Sequence, residues 1–459
     1  MGQALRDFIA KMESERPDEV LHIHDEIDPK YEVSGLMLEA ERHGHYPLFL
    51  FDHIKGFDIP VVTGVISHRK RFADALGVPL AQATQTFMQR SVNRFAPTEI
   101  DKAPFHANVQ IGSQVDLTKL PILTHFPVDP APYITAAMVV TRDPKSGTDT
   151  LGYHRCMLKG KNRLGISLHS RRRVWEYQLR AEELKQDLPA AICIGLHPIH
   201  SLASMALLPY DESKFELIGG LFGEPMEVAR CATIDLLVPA WTEIVLEGRI
   251  LSSVREPEGP FSEFTGYASS RSTQNVFLVE AVSYRDEPLY QSICSGFAGD
   301  HNTVMGFTRE VDVIEAVRRT VPNVKAVHVP ISGCGIFHCY ISIKKTAEGQ
   351  PQQAIYAAFG IDHGCKLVIV VDDDVDVFNE KDVLWSLSTR MQGDRSIMVM
   401  PRSMGVILDP STTEQGVTTK VGIDSTRPLG PYAQRLELSV DTRAKAVILW
   451  EKVKTEMKG

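Results

Sequence analysis

The pattern of apolar and polar positions changes along the chain and divides it into three regions. In the first region, helical and extended patterns are mixed. LFLFDHI at 48–54 and VVTGVIS at 61–67 predict strands, because apolar and β-branched residues dominate them. RKRFADALG at 69–77 predicts a helix that ends at Gly77. This part of the chain is therefore expected to be an α/β region.

The middle region is rich in short strands. A proline-rich connector, 120–135, leads into it, and one helical segment, 171–186, interrupts it. The predicted strands are apolar or β-branched and are bounded by turn residues: AAMVVTRDP, RLGISLH, AICIGL, EVARCAT, TEIVLEGRIL and NVFLVEAVSY. A mostly antiparallel, barrel-like domain is the architecture that such a series favours.

Beyond about residue 300, strands and helices alternate. The helices are expected over 350–360 and 376–391, and Asn379 is the predicted cap of the second one. The strands are AVHVPI (326–331), GIFHCYISIK (335–344), KLVIVV (366–371) and SIMVM (396–400). This alternation predicts a small α/β module of βαβ type.

Composition limits the classes of protein that the chain can belong to. A chain of 459 residues is too long to fold around one compact core, so two or three domains are expected. The net charge of -9 argues against a general nucleic-acid binder, and no apolar run approaches the length of a membrane span. The polar, amphipathic first twenty residues lack the apolar core of a signal peptide. Seven cysteines without a CxxC pair predict buried free thiols in a reducing compartment, so a cytoplasmic protein is expected.

Three motifs carry little functional weight. His197 and His200 form an HxxH pair without further ligands, and a structural role is favoured over zinc binding. VDDDVD at 371–376 follows a buried strand and precedes a helix, which favours a solvated turn over a metal site. SGCGIFH at 332–338 lacks the last glycine of a dinucleotide-binding loop and leads into a strand.

The segment 246–267 is the most informative one. Glu258 and Glu263 lie close in sequence around the turn-forming Gly259-Pro260. Two carboxylates at one site can be pushed to different pKa values, so that one is a neutral acid while the other stays ionised and is held by an arginine. The alternative is an exposed hairpin with incidental acidic residues.

Several segments resemble the UbiD family of decarboxylases, and they occur in the family's order. PEGPFSEFTGY (257–267) resembles the family signature PEGPFGE(F/M)xGY. Four more segments are similar to family segments, namely VPAWTEIVLEG (238–248), TLGYHRCMLKGKNRLGI (150–166), LVIVVDDDVDVFNEKDVLWSLSTRM (367–391) and TTKVGIDST (418–426). With weaker similarity elsewhere, the resemblance spans nearly the whole chain.

The resemblance implies an α+β or α/β multidomain fold. An N-terminal α/β region (1–115) would precede a split β-barrel, flavin-reductase-like domain that binds prenylated FMN (116–300), and a C-terminal α/β oligomerisation domain (301–459) would follow. The implied activity is non-oxidative, reversible decarboxylation of an aromatic, heteroaromatic or α,β-unsaturated carboxylic acid. The implied partners are that small-molecule acid, a flavin prenyltransferase that supplies the cofactor, and further copies of the chain in a homodimer or higher homo-oligomer. Neither a nucleic acid nor a membrane is expected as a partner.

The resemblance also implies roles for individual residues. Arg155, Glu258 and Glu263 match the family's catalytic network, in which Glu263 would donate a proton and Arg155 would hold Glu258 and help to place the substrate carboxylate. The implied cofactor-binding residues are Tyr153, His154, Arg155, Ile166, Ser167, His169, Lys214 and Lys420. Residues 170–173, Ser-Arg-Arg-Arg, would add phosphate contacts or begin a solvated helix.

The chain departs from the family at the metal site. Relatives bind a divalent metal, usually manganese, and potassium beside the flavin phosphate through an Asn, a His and a Glu. Here the three positions are Thr150, His169 and Lys214, so only His169 remains as a metal ligand. Three alternatives follow: Lys214 replaces the metal and binds the phosphate, Glu212 or Glu216 supplies the carboxylate, or cofactor binding is lost.

Two other functions remain open beside decarboxylation. The chain could be a non-catalytic UbiD-like subunit of a carboxylase complex, or a redox flavoprotein that uses plain FMN. The substrate is not specified by the sequence, although family analogy places Phe297, His301 and Asn302 near its pocket.

Overall fold

The computed structural model describes residues 2–168, 172–412 and 416–457. The α-helices of these residues are α1 (Leu5–Glu15), α2 (Glu32–Arg42), α3 (Arg69–Leu76), α4 (Ala83–Ser91), α5 (Arg173–Glu183), α6 (Pro198–Met205), α7 (Lys214–Phe222), α8 (Gly299–Thr320), α9 (Gln350–Ile361), α10 (Glu380–Arg390), α11 (Gly393–Ser396) and α12 (Val440–Met457). The strands are β1 (Val20–Ile27), β2 (Leu48–Ile54), β3 (Val61–Thr63), β4 (Thr98–Glu99), β5 (Asn108–Ile111), β6 (Tyr133–Ile134), β7 (Met138–Arg142), β8 (Asp149–Tyr153), β9 (Cys156–Gly160), β10 (Arg163–Ile166), β11 (Leu188–Ile194), β12 (Glu227–Arg230), β13 (Leu237–Pro239), β14 (Ile244–Glu258), β15 (Ser272–Tyr284), β16 (Tyr290–Gln291), β17 (Val324–His328), β18 (His338–Ile343), β19 (Leu367–Asp372), β20 (Ile397–Met404) and β21 (Val417–Ser425).

The N-terminal region contains a four-stranded sheet in the order β1-β2-β3-β16. The predicted strand 48–54 and the predicted helix that ends at Gly77 are confirmed, and Gly77 has a left-handed φ of 69°. The strand predicted at 61–67 already ends at Thr63. Gly64 turns the chain there with a φ of 76°, and a Cβ at this position would lie 2.3 Å from the Pro47 carbonyl oxygen.

A nine-stranded sheet forms the centre of the molecule. Its order is β6-β9-β10-β15-β14-β11-β7-β8, and β5 also pairs with β15. Every pairing in this sheet is antiparallel, as the sequence predicts for the middle region. The strands β14 and β15 are longer than predicted. They lie in the middle of the sheet, and Glu258 is the last residue of β14. The interrupting helix is also confirmed, as α5.

The C-terminal region is the predicted α/β module. Its sheet has the order β17-β18-β19-β21-β20, in which β18, β19 and β21 run parallel. The helix α9 connects β18 to β19 and makes the βαβ unit. Asn379 caps α10 as predicted, because its Oδ1 accepts a hydrogen bond from the Lys381 amide over 3.2 Å. The long helix α8, which leads into this module, has no counterpart among the predicted elements.

The cysteines, the HxxH pair and the acidic turn at 371–376 have structural roles. All seven cysteines are free, and six of them are buried. The His197 ring accepts a hydrogen bond from the Ile199 amide and caps α6, and the His200 ring bonds to the His197 carbonyl. In the acidic turn, Asp372 and Asp374 are not merely solvated, because both form ion pairs with Arg390. None of the described helices is both long and apolar enough to cross a membrane.

A buried carboxylate joins the N-terminal region to the C-terminal module. Glu310 of α8 is fully buried and accepts hydrogen bonds from Arg69, from the His328 ring over 2.7 Å and from the Val329 amide over 3.1 Å. Although burial acts in the opposite direction, Arg69 and His328 lower the pKa of Glu310. The carboxylate is therefore ionised at neutral pH and binds groups from two segments, the start of α3 and the end of β17.

We expect Glu310→Ala to destabilise the protein by about 3 kcal/mol, because breaking a buried ion pair leaves the opposite charge without a partner. Urea unfolding at neutral pH measures this loss. The matched control is Glu315→Ala on the exposed side of the same helix, which should change stability by less than about 0.5 kcal/mol. Equal effects of the two substitutions would contradict the role given to Glu310.

Candidate active site

The two acidic residues of the segment 246–267 face one another across a tight turn. Glu258 is the last residue of β14, and Gly259 then turns the chain with a φ of 82°. A short hairpin follows, in which Ser262 pairs with Ala268 and the Glu263 amide donates to the Tyr267 carbonyl over 3.0 Å. The turn needs glycine because other residues rarely adopt this backbone conformation. As a result Glu263 returns to the side of the sheet where Glu258 lies.

Arg155 joins both carboxylates. It stands between β8 and β9, and its Nε and Nη2 donate to the two oxygens of Glu258, each over 2.9 Å. Its Nη1 donates to Glu263. The side chains are 10%, 0% and 7% exposed for Arg155, Glu258 and Glu263 respectively. The guanidinium also lies over the Phe261 ring, 4.7 Å from its centroid. The alternative of an exposed hairpin with incidental acidic residues is therefore wrong.

Burial and charge act differently on the members of this cluster. Burial raises the pKa of Glu263, although Arg155 and Ser269 oppose the shift. Burial disfavours the charged guanidinium, but the carboxylates of Glu263 and Glu258 raise the pKa of Arg155 above its usual value. A buried carboxyl with a raised pKa can hold a proton near neutral pH and deliver it to a bound molecule.

Sequence reasoning missed the residue that holds the Glu263 turn in place. Asp129 is buried, and its carboxylate accepts hydrogen bonds from the amides of Ser262 and Phe126, each over 2.9 Å. The Ser262 hydroxyl lies 2.6 Å from that of Ser295. Asp129 belongs to the proline-rich connector, which shows no periodicity, so no local signal marks it as part of the site.

Four of the expected cofactor-binding residues surround Arg155. His154 precedes it, and the His154 Nδ1 lies 2.9 Å from the Ser167 carbonyl oxygen. The Ser167 amide donates to the Arg155 carbonyl over 3.2 Å, and Ile166 ends the neighbouring strand β10. Tyr153 ends β8, and its hydroxyl lies 2.7 Å from that of Ser201 on α6. The structure therefore brings these residues together at one end of the central sheet.

Lys214 and Lys420 come to the site from different elements. Lys214 begins α7 and is buried, and its ammonium donates to the Ser204 carbonyl on α6. Lys420 is buried on β21, and its Nζ donates to the Asp362 carbonyl over 3.2 Å. Arg172, directly before α5, is within electrostatic range of both segments. Burial lowers the pKa of Lys214, and the charge of Arg172 lowers it further. Burial also lowers the pKa of Arg172, and the nearby carboxylate of Asp362 partly opposes that shift.

Among the three arginines at 171–173, Arg173 has a structural role. Arg173 begins α5 and donates to the carbonyls of Leu208, Pro209 and Glu212, so it anchors the loop before α7. Residues 170 and 171 lie outside the described part of the chain.

The side chains present fit a phosphate better than a divalent metal. The Thr150 hydroxyl is buried without a hydrogen-bond partner among the described residues, and the Lys214 ammonium is no metal ligand while protonated. Glu212 pairs with Arg94 over 3.0 Å. His169, the remaining predicted ligand, lies outside the described residues. Within residues 2–168, 172–412 and 416–457, no group of three or more His, Cys, Asp or Glu side chains could hold a metal ion.

The residues expected near a substrate lie close to the cluster. His301 is half-buried, and the loss of solvent around its ring together with the charge of Arg155 lowers its pKa to about 4, so it is neutral near pH 7. Asn302 donates to the Phe264 carbonyl over 3.2 Å, and Phe297 is 45% exposed.

Comparison with known families identifies three consecutive domains. The family models for the N-terminal, Rift-related and C-terminal domains of 3-octaprenyl-4-hydroxybenzoate carboxy-lyase (UbiD) match residues 12–91, 98–298 and 302–425. Together they cover most of the chain in the order that the structure shows.

Named relatives and solved structures agree with these domains. Anhydromevalonate phosphate decarboxylase of Methanothermobacter thermautotrophicus is 34% identical over 93% of this chain and 97% of its own length. Phenolic acid decarboxylase of Bacillus subtilis is 30% identical over 96% and 97%. The UbiD-class enzyme HmfF of Pelotomaculum thermopropionicum, solved in complex with FMN, is 36% identical over 96% and 98%, with a TM-score of 0.91. An evolved dimeric form of HmfF, solved in complex with prFMN, is 34% identical over 96% and 98%, with a TM-score of 0.88.

The Arg155 cluster predicts a pH-dependent loss of stability. Arg155→Met removes the cation that opposes the effect of burial on Glu263, so the pKa of Glu263 rises further in the folded protein. A raised folded-state pKa binds protons that the unfolded chain releases, so stability falls as pH rises. We expect a loss of about 3 kcal/mol at pH 8 and a clearly smaller loss at pH 5, measured by urea unfolding.

The matched control is the double variant Arg155→Met/Glu258→Gln, which removes one charge of each sign. It should regain part of the stability that Arg155→Met loses at pH 8. A loss of equal size at both pH values would show that the carboxylates do not depend on Arg155.

Proposed function

The chain belongs to the UbiD family and is a carboxy-lyase of that family, and on this premise we propose that it decarboxylates an unsaturated or aromatic carboxylic acid with prenylated FMN. HmfF, with 36% sequence identity over nearly the whole chain, has been solved with FMN, and its evolved form with prFMN, which supports a flavin cofactor here. A flavin prenyltransferase would supply the prenylated form.

The observation that carries the proposal is the buried contact of one arginine with two glutamates. Arg155 binds Glu258 through two hydrogen bonds of 2.9 Å and also contacts Glu263. Burying these three ionisable groups costs stability, and apolar residues of similar volume would make the protein at least as stable. A buried cluster of this kind is therefore expected where it has a chemical function. The intact cluster supports catalysis over the alternative of a non-catalytic subunit.

Each member of the cluster has a separate role in the proposed reaction. Glu258 fixes the guanidinium of Arg155 in one orientation, because both of its oxygens accept hydrogen bonds from it. Arg155 then positions the carboxylate of the substrate. Glu263, whose pKa burial raises, carries the proton that replaces carbon dioxide on the product carbon.

Prenylated FMN, when bound, supplies the electron sink that accepts the electron pair left by the departing carboxylate. The chain's own residues orient the acid and exclude water around it. The neutral ring of His301 and the nearby Phe264, whose ring centroids lie 6.0 Å apart, make this surface suitable for a flat, unsaturated substrate.

The relatives support an acid of this class without identifying it. They include a phenolic acid decarboxylase and an anhydromevalonate phosphate decarboxylase. We propose that the chain acts as a homodimer or a higher homo-oligomer, since an evolved dimeric form exists among the related structures.

The proposal is tested with Glu263→Gln in protein produced together with a flavin prenyltransferase. The amide keeps the shape of the side chain but has no acidic proton, so we expect decarboxylation to fall by a factor of about 100 or more. Released carbon dioxide is measured over a panel of aromatic, heteroaromatic and acrylic acids. The control is Glu280→Gln, whose carboxylate pairs with Arg249 outside the cluster and should leave the rate unchanged.

A mass spectrum of the released cofactor accompanies each assay. Prenylated FMN in both the parent protein and Glu263→Gln, with turnover only in the parent, supports the role of Glu263. A protein that binds only plain FMN and is reduced by a nicotinamide donor would replace the proposal by a redox function.

A further inference from the structure

A cluster of positive side chains lies between the central sheet and the C-terminal module. We refer to Arg172, Lys214, Arg309 and Lys420 as the cationic cluster. Arg309 of α8 forms an ion pair with Asp362 over 2.8 Å, and the Asp362 carbonyl accepts the hydrogen bond from Lys420. The cluster therefore joins α5, α7, α8 and β21.

Arg172 is the unusual member of the cationic cluster. Its guanidinium forms neither a hydrogen bond nor an ion pair with any residue in the described ranges, while Arg309 and Arg173 are both bound to oxygen atoms. Burial and then the charge of Arg309 lower the pKa of Arg172 to about 10, although Asp362 opposes the shift. Arg172 is half-buried, and a partly desolvated cation without a hydrogen-bond partner among these residues would bind an anion favourably.

Positive charge exceeds negative charge around Arg172. Arg172, Arg309 and Lys420 lie near the carboxylate of Asp362, and Asp362 is already paired with Arg309. Burial raises the pKa of Asp312 to about 7, which weakens it as a counter-charge. A dianion would balance this surplus.

Unused polar atoms lie on the same elements. The Thr150 hydroxyl on β8 and the Arg309 Nε on α8 are buried without partners among the described residues. Both α5 and α7 pack against β8, so Thr150 lies on the strand that these two helices cover. A buried group without a partner indicates a missing ligand or water.

A chain of hydrogen bonds links this region to the active site. The Tyr153 hydroxyl lies 2.7 Å from the Ser201 hydroxyl, and the Ser204 hydroxyl donates to the Ser201 carbonyl over 2.8 Å. The Ser204 carbonyl in turn accepts from Lys214. Tyr153 lies two residues before Arg155, so this chain of contacts connects the surroundings of the Arg155 cluster to Lys214.

We infer that Lys214 and Arg172 bind a phosphate monoester directly, without a divalent metal ion, and that this phosphate is the one of the flavin. The inference rests on the proposed function, because the flavin places its phosphate at the end of the site away from the reacting carbon. A lysine ammonium carries the same net charge of +1 as a divalent cation together with a glutamate. Protonated Lys214 therefore supplies the charge that a phosphate needs, and a bound phosphate would favour this protonated form against the effect of burial, while the chain lacks two metal ligands.

The first measurement is a titration of the metal-stripped protein with FMN and with riboflavin, followed by flavin fluorescence in EDTA and again with manganese. We expect the same FMN Kd in both conditions, much weaker riboflavin binding, and far less than one manganese per chain by elemental analysis. FMN binding that is lost in EDTA and restored by manganese would overturn the inference.

The variants Lys214→Met and Arg172→Met test the two side chains. Each should weaken FMN by roughly 10- to 100-fold, the effect of one charge-assisted hydrogen bond, and leave riboflavin binding unchanged. The control is Lys119→Met at an exposed position, which should not change either Kd. An unchanged FMN Kd in both variants would contradict the inference.

A double variant that introduces the metal ligands expected from the family tests the same inference if a single variant folds poorly. In Thr150→Asn/Lys214→Glu, FMN binding should become dependent on manganese. FMN binding by this variant in EDTA as tight as that of the parent would contradict the inference.

The outcomes also distinguish which molecule carries the phosphate. They further show whether the proposed function or only the metal-free site is wrong. Equal binding of FMN and riboflavin, with inorganic phosphate binding that Lys214→Met abolishes, would assign the site to a phosphorylated substrate instead of the flavin. Absence of flavin binding in every condition would overturn the proposed function itself, whereas manganese-dependent FMN binding would overturn only the metal-free site.

Discussion

The contact of Arg155 with Glu258 and Glu263 is the interaction on which the rest of the site depends. All three charges are largely withdrawn from water, and two carboxylates could not stay this close if the guanidinium did not lie between them. The contact forms only when the end of β8, the end of β14 and the hairpin after Gly259 meet. The antiparallel central sheet fixes the first two, and Asp129 fixes the third. The fold therefore supplies the rigidity that the charges require.

The same sheet separates the site into two ends with different electrostatics. At the Arg155 end, two carboxylates surround one cation, and burial favours the proton on Glu263. At the Lys214 end, cations outnumber carboxylates, and Arg172 has no partner among the described residues. A cofactor with a reactive ring and a phosphate matches this polarity. The two ends also draw on different elements. β21 supplies Lys420 to the second end, whereas α8 supplies His301 to the first end and Arg309 to the second.

Membership of the UbiD family and the proposed metal-free phosphate site are compatible. The three family domains match in order, and HmfF has a TM-score of 0.91, so the scaffold is retained. In the proposed metal-free site, the change is confined to side chains at one end of the site, namely Thr150 on β8 and Lys214 on α7. Electrostatic stabilisation of an anion depends on net charge and position more than on the identity of the cation. A scaffold can therefore exchange a metal for an ammonium group without rearranging its strands.

The sequence by itself determined the elements that local pattern controls. Apolar and β-branched runs bounded by turn residues predicted strands of the central sheet, and Gly77 and Asn379 marked the termini of two helices. The family resemblance of the segments around Arg155 and around Glu258 and Glu263 implied that these three residues act together. The sequence did not predict α8, because its buried residues are spread around the helix and do not form a single apolar face. The sequence also did not predict the role of Asp129, which lies in an irregular connector. Only the tertiary structure decided that Arg172 lacks a partner and that Lys214 and Lys420 approach the same region. Burial and charge balance arise between segments distant in sequence, so no local pattern records them.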